Sequence, residues 1–300
     1  MLQLLKALAF LLGHMPPAAA TLSGRLLGGI GYRLLKKHRK IALANLELAF
    51  GKTLSGAERE RIAKAVFRNL ATMLFEFTRI PWLGRSDVER LVRFTGLENF
   101  DRALQRGKGA ILLTGHFGNW ELLGASLGHM GYRLDIVVRK LDHPVFEEFV
   151  SWTRTRPGNS IVYKRRAMRR LIRSLASNSI VAILVDQNVA AVEGFFVDFF
   201  GQSACTNKGP AILALASGAA VVPAFIMREG AGHRLVVLEE LEVVNTGDRE
   251  ADALVNTERF TKAVEEMIRK RPEEWFWVHR RWKTRPEQGS GGNEGTLEGI

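Results

Sequence analysis

Apolar and polar residues along this chain follow two rhythms, and the change between them marks its organisation. From Ser55-Gly56-Ala57-Glu58, a capping box, a long amphipathic helix is predicted to about Ile80. Ile62, Val66, Leu70, Met73, Leu74 and Phe77 lie on one stripe, and Pro81 ends it. Ile41 to Phe50 reads as a shorter helix before it. Beyond Pro81, short apolar runs alternate with helix-period segments. Strands are predicted at 92–95, 110–114, 134–138, 160–162, 180–185, 195–199, 221–227 and 235–239. Helices fit about 97–106, 118–129, 144–154, 165–176, 207–217 and 251–270. Such alternation predicts an α/β fold with a mostly parallel central sheet flanked by helices.

The amino-terminal pattern is different again. Ala7 to Gly24 carries no formal charge, and Pro16-Pro17 interrupts it. About 20 apolar residues are needed to span a bilayer, so the break favours attachment over crossing. The residues that follow are basic (Arg25, Arg33, Lys36, Lys37, Arg39, Lys40). Positive charge after an apolar segment favours the cytoplasmic side, against anionic head groups. A retained membrane-associating segment therefore fits better than a cleaved signal ending at Ala18-Ala19-Ala20. The expected division is an apolar segment 1–24, a helical region 25–85, an α/β domain 86–285 and a disordered tail 286–300.

Charge narrows the partners. The 43 basic and 31 acidic residues give a net charge of +12, which favours anionic lipids, phosphorylated substrates or acidic proteins. A nucleic acid would also suit such a charge, but charge alone does not account for the motif described next. The single cysteine, Cys205, excludes an intrachain disulfide and a multi-cysteine metal site. No metal-ligand spacing and no phosphate-binding glycine loop occur, so neither metal nor cofactor is expected.

The chemistry concentrates at Thr114-Gly115-His116-Phe117-Gly118-Asn119-Trp120-Glu121, directly after an apolar strand. Residues five apart on one helix are rotated by about 140° and do not share a face. His116 and Glu121 meet only if His116 lies in the turn and Glu121 in the helix after it. In that reading His116 is a general base at the carboxyl end of a strand, and Glu121 orients its ring. The plainer alternative is a helix start, with Glu121 at its positive end. Arg154-Thr-Arg156-Pro-Gly158 is expected in a loop, where either arginine is free to bind a phosphate or a developing oxyanion. Asp186-Gln187 follows another apolar strand, so Asp186 is placed for function, for a cap or for fixing an arginine.

Other features have plainer readings. Gly124-Ala-Ser126-Leu-Gly128 spells a serine-hydrolase elbow, but Ser126 falls inside a predicted helix rather than on a sharp turn. The aromatic run Phe195–Phe200 reads as a core edge strand, with an acyl-chain wall as the alternative. Trp275-Phe-Trp277-Val-His-Arg-Arg-Trp282 suits a membrane interface or arginine stacking on indoles.

Taken in order, these motifs carry a resemblance. His116-Phe-Gly-Asn-Trp-Glu121, Arg154-x-Arg156-x-Gly158, Asp186-Gln187, Phe196-Val-Asp-Phe-Phe-Gly201 and Val221-Val-Pro223, preceded by Ile41-Ala-x-x-Asn45-Leu-Glu-Leu-Ala-Phe50, resemble the late (lauroyl/myristoyl) acyltransferases of lipid A biosynthesis over nearly residues 1–285. The resemblance implies a bacterial inner-membrane enzyme acting on the cytoplasmic face. It implies an acyl carrier protein thioester as donor and a glycolipid hydroxyl as acceptor. It implies His116 as catalytic base with Glu121 as its acidic partner, and Arg154 or Arg156, with Asp186 and Gln187, near the substrate. The alternatives are the same transfer to another glycolipid or a lysophospholipid, and a non-catalytic basic protein binding membranes or nucleic acid.

Overall fold

The computed structural model describes residues 1–286. The tail expected from 286 onward lies, after its first residue, outside the described residues.

Four helices lead the chain: α1 (Leu2–Gly13), α2 (Pro17–Leu34), α3 (Lys36–Phe50) and α4 (Gly56–Arg79). Pro16-Pro17 separates α1 from α2, with Pro17 at the first helical position, where a missing N–H costs no bond. The Ser55 hydroxyl and the Glu58 carboxylate close the capping box that opens α4. Among the described residues no helix is long and apolar enough to cross a membrane. Helix α2 runs through residue 24 and past the first basic residue, Arg25, to Leu34. Leu4, Leu11, Leu22, Leu26 and Leu34 are exposed on α1 and α2.

Two glycines set how closely α2 packs on α4. A Cβ on Gly24 would lie 2.5 Å from the Thr72 Cα, and one on Gly28 would lie 2.4 Å from the Arg68 Cα. The obstacles are backbone atoms, so a larger residue forces the helices apart.

The rest of the chain alternates α5 (Arg85–Leu91), β1 (Val92–Thr95), α6 (Glu98–Gln105), β2 (Ala110–Thr114), α7 (Trp120–His129), β3 (Leu134–Val138), α8 (Pro144–Thr155), β4 (Ser160–Tyr163), α9 (Met168–Ala176) and β5 (Ile180–Leu184). Then come β6 (Gly194–Phe199), β7 (Gln202–Asn207), α10 (Gly209–Ser217), β8 (Ala220–Glu229), β9 (Gly232–Val237) and α11 (Arg249–Lys270). Seven strands form one sheet in the order β1-β9-β8-β2-β5-β3-β4, parallel except for the β8–β9 pair. The protein is therefore α/β, with a mostly parallel sheet between helices. Central strands β2 and β5 are apolar along nearly their whole length because both faces are covered. One face packs on Leu171, Leu213 and Val264 of α9, α10 and α11; the other packs on Phe100 of α6 and on Leu122, Leu123 and Leu127 of α7.

The aromatic run Phe195–Phe200 does not edge the main sheet. It forms β6 of a separate antiparallel hairpin with β7, a strand the polarity pattern did not predict. Phe200 and Gly201 both have positive φ (60° and 75°), which suits a tight hairpin turn. Burial of the Phe200 ring and donation by its N–H to Glu265 (2.8 Å) hold that conformation.

Gly28→Val is expected to destabilise the protein by roughly 1–3 kcal/mol through overpacking. Gly29→Ala, whose Cβ meets nothing within 4 Å, is expected to be neutral or slightly stabilising. Thermal unfolding of the two variants checks this; equal melting temperatures would contradict the close α2–α4 seam.

Candidate active site

His116 lies two residues beyond the end of β2, and Asp186 two residues beyond the end of β5. The strands are parallel neighbours in register, Thr114 opposite Leu184. Equal overhangs from paired ends bring the two side chains together. His116 Nδ1 is 2.8 Å from Asp186 Oδ1, and the His116 backbone N–H donates to Oδ2 at 2.7 Å. A third donor comes from a distant part of the chain: the Trp275 indole N–H reaches Oδ2 at 2.7 Å.

A carboxylate facing a ring nitrogen at that distance only accepts, so the proton resides on Nδ1. The Nε2 lone pair is then free to take a proton. It faces the Gln187 side-chain amide at 3.2 Å. Burial pushes the Asp186 carboxyl up, but the adjoining His116 and the three donors outweigh it and hold the pKa below the ordinary value. Trp120 and Phe276 flank the imidazole, with ring centroids 5.1 and 5.9 Å away.

Glu121 does not make the contact to His116 that its spacing suggested. It sits in the first turn of α7 and receives a two-pronged bond from Arg154, Nε to Oε2 at 2.8 Å and Nη2 to Oε1 at 2.5 Å. The Trp120 indole adds a contact at 3.2 Å. Both imidazole nitrogens are engaged elsewhere, so Asp186 takes the orienting position. The physical reason is the helix start: with Trp120 as its first residue, Glu121 projects toward α8 and away from the ring.

Arg154 belongs to the last turn of α8, not to a loop, and the helix fixes its direction. Arg156 caps that helix and is exposed, outside the cavity. His116, Glu121, Arg154 and Gln187 all line one cavity of about 400 Å³ at the carboxyl ends of β2, β5 and β3, where open α/β sheets place their ligands. Its floor is apolar, from Leu112, Ile136, Val137, Ile183 and Val185; Arg139 and Lys164 add positive charge. Among the described residues no cluster of side chains suits a metal ion.

The turn itself is built for close packing. Gly118 has φ 58°, and a Cβ there would sit 1.7 Å from the Ile226 carbonyl oxygen of β8. The Phe117 and Gly118 amides donate to the Gly115 and Glu274 carbonyls, so neither is free to bind an oxyanion. Asn119 caps α7 by accepting from the Leu122 N–H, and its amide donates to Glu76 of α4 at 2.8 Å. Glu76 also accepts two bonds from Arg228 (2.7 and 2.9 Å) and lies 3.6 Å from His233. Burial pushes its carboxyl up; His233 and Arg228 more than reverse that and hold it at about 2. At 3.6 Å His233 is beyond hydrogen-bond range, so the Arg228 fork carries more of the effect.

Two of the three tryptophans in the segment after α11 are in the core rather than at the surface. Trp275 and Trp277 are fully buried. Arg281 is buried too, donating to the Cys205 carbonyl and the Thr206 hydroxyl and lying over the Phe199 ring rather than an indole. Burial draws its pKa down to about 10. Ser126 is buried inside α7 and does not line the cavity, and Cys205 is buried. The bond from Trp275 to Asp186 and the part played by Glu76 escaped the sequence reading because nothing local distinguishes a structural indole or a helix-face glutamate.

A histidine held by a buried acid at the mouth of an apolar cavity suits acyl transfer, and the relatives decide the matter. The model of the bacterial lipid A biosynthesis acyltransferase family matches residues 2–284. The chain belongs to that family. It is 29% identical over 280 residues to a lipid A biosynthesis palmitoleoyltransferase of Escherichia coli (91% of this chain, 88% of that one). It is 32% identical over 269 residues to the lauroyltransferase of the same organism (87% and 84%). A phosphatidylinositol mannoside acyltransferase of Mycobacterium tuberculosis matches at 27% over 214 residues (69% and 66%). The protein is thus an acyltransferase.

The Glu76 shift has a stability consequence. The folded carboxyl (about 2) lies below the ordinary value of 4.5, so its contribution is present above pH 4.5 and is lost as pH falls toward 2. Between pH 6 and pH 3 this acyltransferase is expected to lose about 2 kcal/mol through this group. Denaturant titrations of Glu76→Gln at the two pH values should show that much less loss; an unchanged difference would contradict the assignment.

Proposed function

We propose that the protein transfers a fatty acyl group from an acyl carrier protein thioester to a hydroxyl of a lipid A precursor at the cytoplasmic face of the inner membrane. One observation carries the mechanism: the His116 ring is held through Nδ1 by buried Asp186 at 2.8 Å while its Nε2 faces Gln187 and the ring lines the cavity.

The acceptor hydroxyl displaces the Gln187 amide and places its proton against Nε2. As Nε2 takes that proton, the hydroxyl oxygen attacks the thioester carbonyl, forming the C–O bond. Asp186 stabilises the imidazolium without becoming protonated itself. The tetrahedral intermediate then collapses. The C–S bond breaks, and the proton on Nε2 passes to the leaving sulfur, giving free thiol and the ester. No covalent enzyme intermediate is needed. A positioned base of this kind contributes roughly 10²–10⁴-fold.

The Arg154–Glu121 pair fixes a cation beside the reacting centre. Its Nη1, which makes no hydrogen bond among the described residues, is available to the oxyanion or to a phosphate of the acceptor. The apolar floor accepts the acyl chain. Exposed leucines of α1 and α2, followed by exposed Arg33, Lys36, Lys37 and Lys40, suit attachment within the interface of an anionic membrane. A second reading, transfer to another glycolipid, has support in the mannoside acyltransferase among the relatives.

His116→Ala is expected to abolish transfer in an assay with dodecanoyl acyl carrier protein and a lipid A precursor, with the fold intact by circular dichroism. Asp186→Asn should lower kcat by about 10³–10⁴-fold, since the amide no longer enforces the Nδ1–H tautomer. Glu121→Gln and Arg154→Gln should each reduce kcat/KM, and the double variant should be no worse than the poorer single one. Full turnover by His116→Ala, or strictly additive losses at 121 and 154, would refute these roles.

A further inference from the structure

Helix α9 has two unlike sides. Leu171 and Leu175 are buried in the core, while Arg169, Arg170 and Arg173 are exposed. Lys164, Arg165 and Arg166 precede it, also exposed. No acidic residue occurs between Glu148 and Asp186, and among the described residues none of the five arginines has a carboxylate within 4.0 Å. A second cavity of about 350 Å³ opens between α9 and α10. Arg166 and Lys208 stand at it, as does Lys164, which pairs with Glu193 (3.2 Å). Val137, Lys164, Ile183 and Asn207 line both this cavity and the one containing His116, so the two adjoin. Arg166 has φ 57°, an uncommon conformation for a side-chain-bearing residue and one that concentrates at ligand sites.

We propose that the cationic face of α9 is the docking surface for the acidic donor carrier protein, whose thioester arm enters through the second cavity to reach His116. This rests on the carrier-thioester donor proposed above. The arm's phosphodiester is a single negative charge, matched by Arg166 and Lys208 at the opening. The protein partner is favoured over a membrane by what α9 lacks. An interfacial helix inserts large apolar side chains, but Leu171 and Leu175 of α9 face the core, and its exposed residues are Arg169, Arg170, Arg173 and the small Ala176. The exposed leucines that a bilayer would take up are on α1 and α2. Charge complementarity without insertion is the character of a reversible, salt-sensitive protein encounter.

The test uses the full-length enzyme, as wild type, Arg169→Glu/Arg173→Glu and Arg169→Lys/Arg173→Lys. KM is measured with dodecanoyl acyl carrier protein and with dodecanoyl-pantetheine, a donor lacking the protein. Binding to phosphatidylglycerol vesicles is measured alongside. At low salt the reversal is expected to raise KM for the carrier thioester by about tenfold or more. It should leave kcat, KM for the small donor and vesicle binding unchanged. The lysine variant should behave as wild type, and added salt should narrow the difference. An unchanged carrier KM, an equal rise for both donors, or loss of vesicle binding with carrier KM intact would each overturn the docking surface. Wild-type enzyme that uses the small donor but not the carrier thioester would instead overturn the donor reading.

Discussion

Everything at the centre of this enzyme depends on one buried carboxylate with a full complement of donors. Asp186 accepts from the His116 ring, the His116 backbone and the Trp275 indole. An unpaired carboxylate so deeply buried would cost several kcal/mol or take up a proton. With three donors it stays ionised and becomes a fixed negative wall against Nδ1. The ring then has one tautomer and one orientation, and its second nitrogen is turned to the cavity. The carboxylate and its donors come from three separate stretches of chain, so the site forms only when the sheet and the segment after α11 are both in place.

The same logic recurs around the site. Arg154 and Glu121 satisfy each other in a geometry that only a planar guanidinium provides. Glu76, reaching from the amino-terminal helices, is held by Arg228 and in turn holds Asn119, the cap of the helix that carries Glu121. The region carrying the exposed leucines is thus tied by a short chain of charge-assisted bonds to the turn carrying the histidine.

The surface divides its work by polarity. Leucines on α1 and α2 face outward, whereas the exposed large side chains of α9 are Arg169, Arg170 and Arg173. The two anionic partners proposed above, a membrane and a carrier protein, would thereby meet two different faces of a chain whose overall charge is +12.

The amino-acid sequence alone determined what is local. The capping box at Ser55, the helix break at Pro16-Pro17 and the core strands of the sheet follow from nearest-neighbour sterics and periodicity. His116 was legible because two glycines and an apolar strand surround it within a few residues. Its partner was not. Glu121 is nearer in sequence, yet Asp186 is nearer in space, because β2 and β5 are neighbours in register although 65 residues lie between Thr114 and the start of β5. Strand order in a parallel sheet is set by long crossovers and global packing, which leave no mark on a short window of sequence. For the same reason the roles of Trp275 and Glu76, the loss of Arg156 from the cavity and the β6–β7 hairpin emerged only with the tertiary structure. Residues whose function is to meet something far along the chain carry no local pattern that announces it.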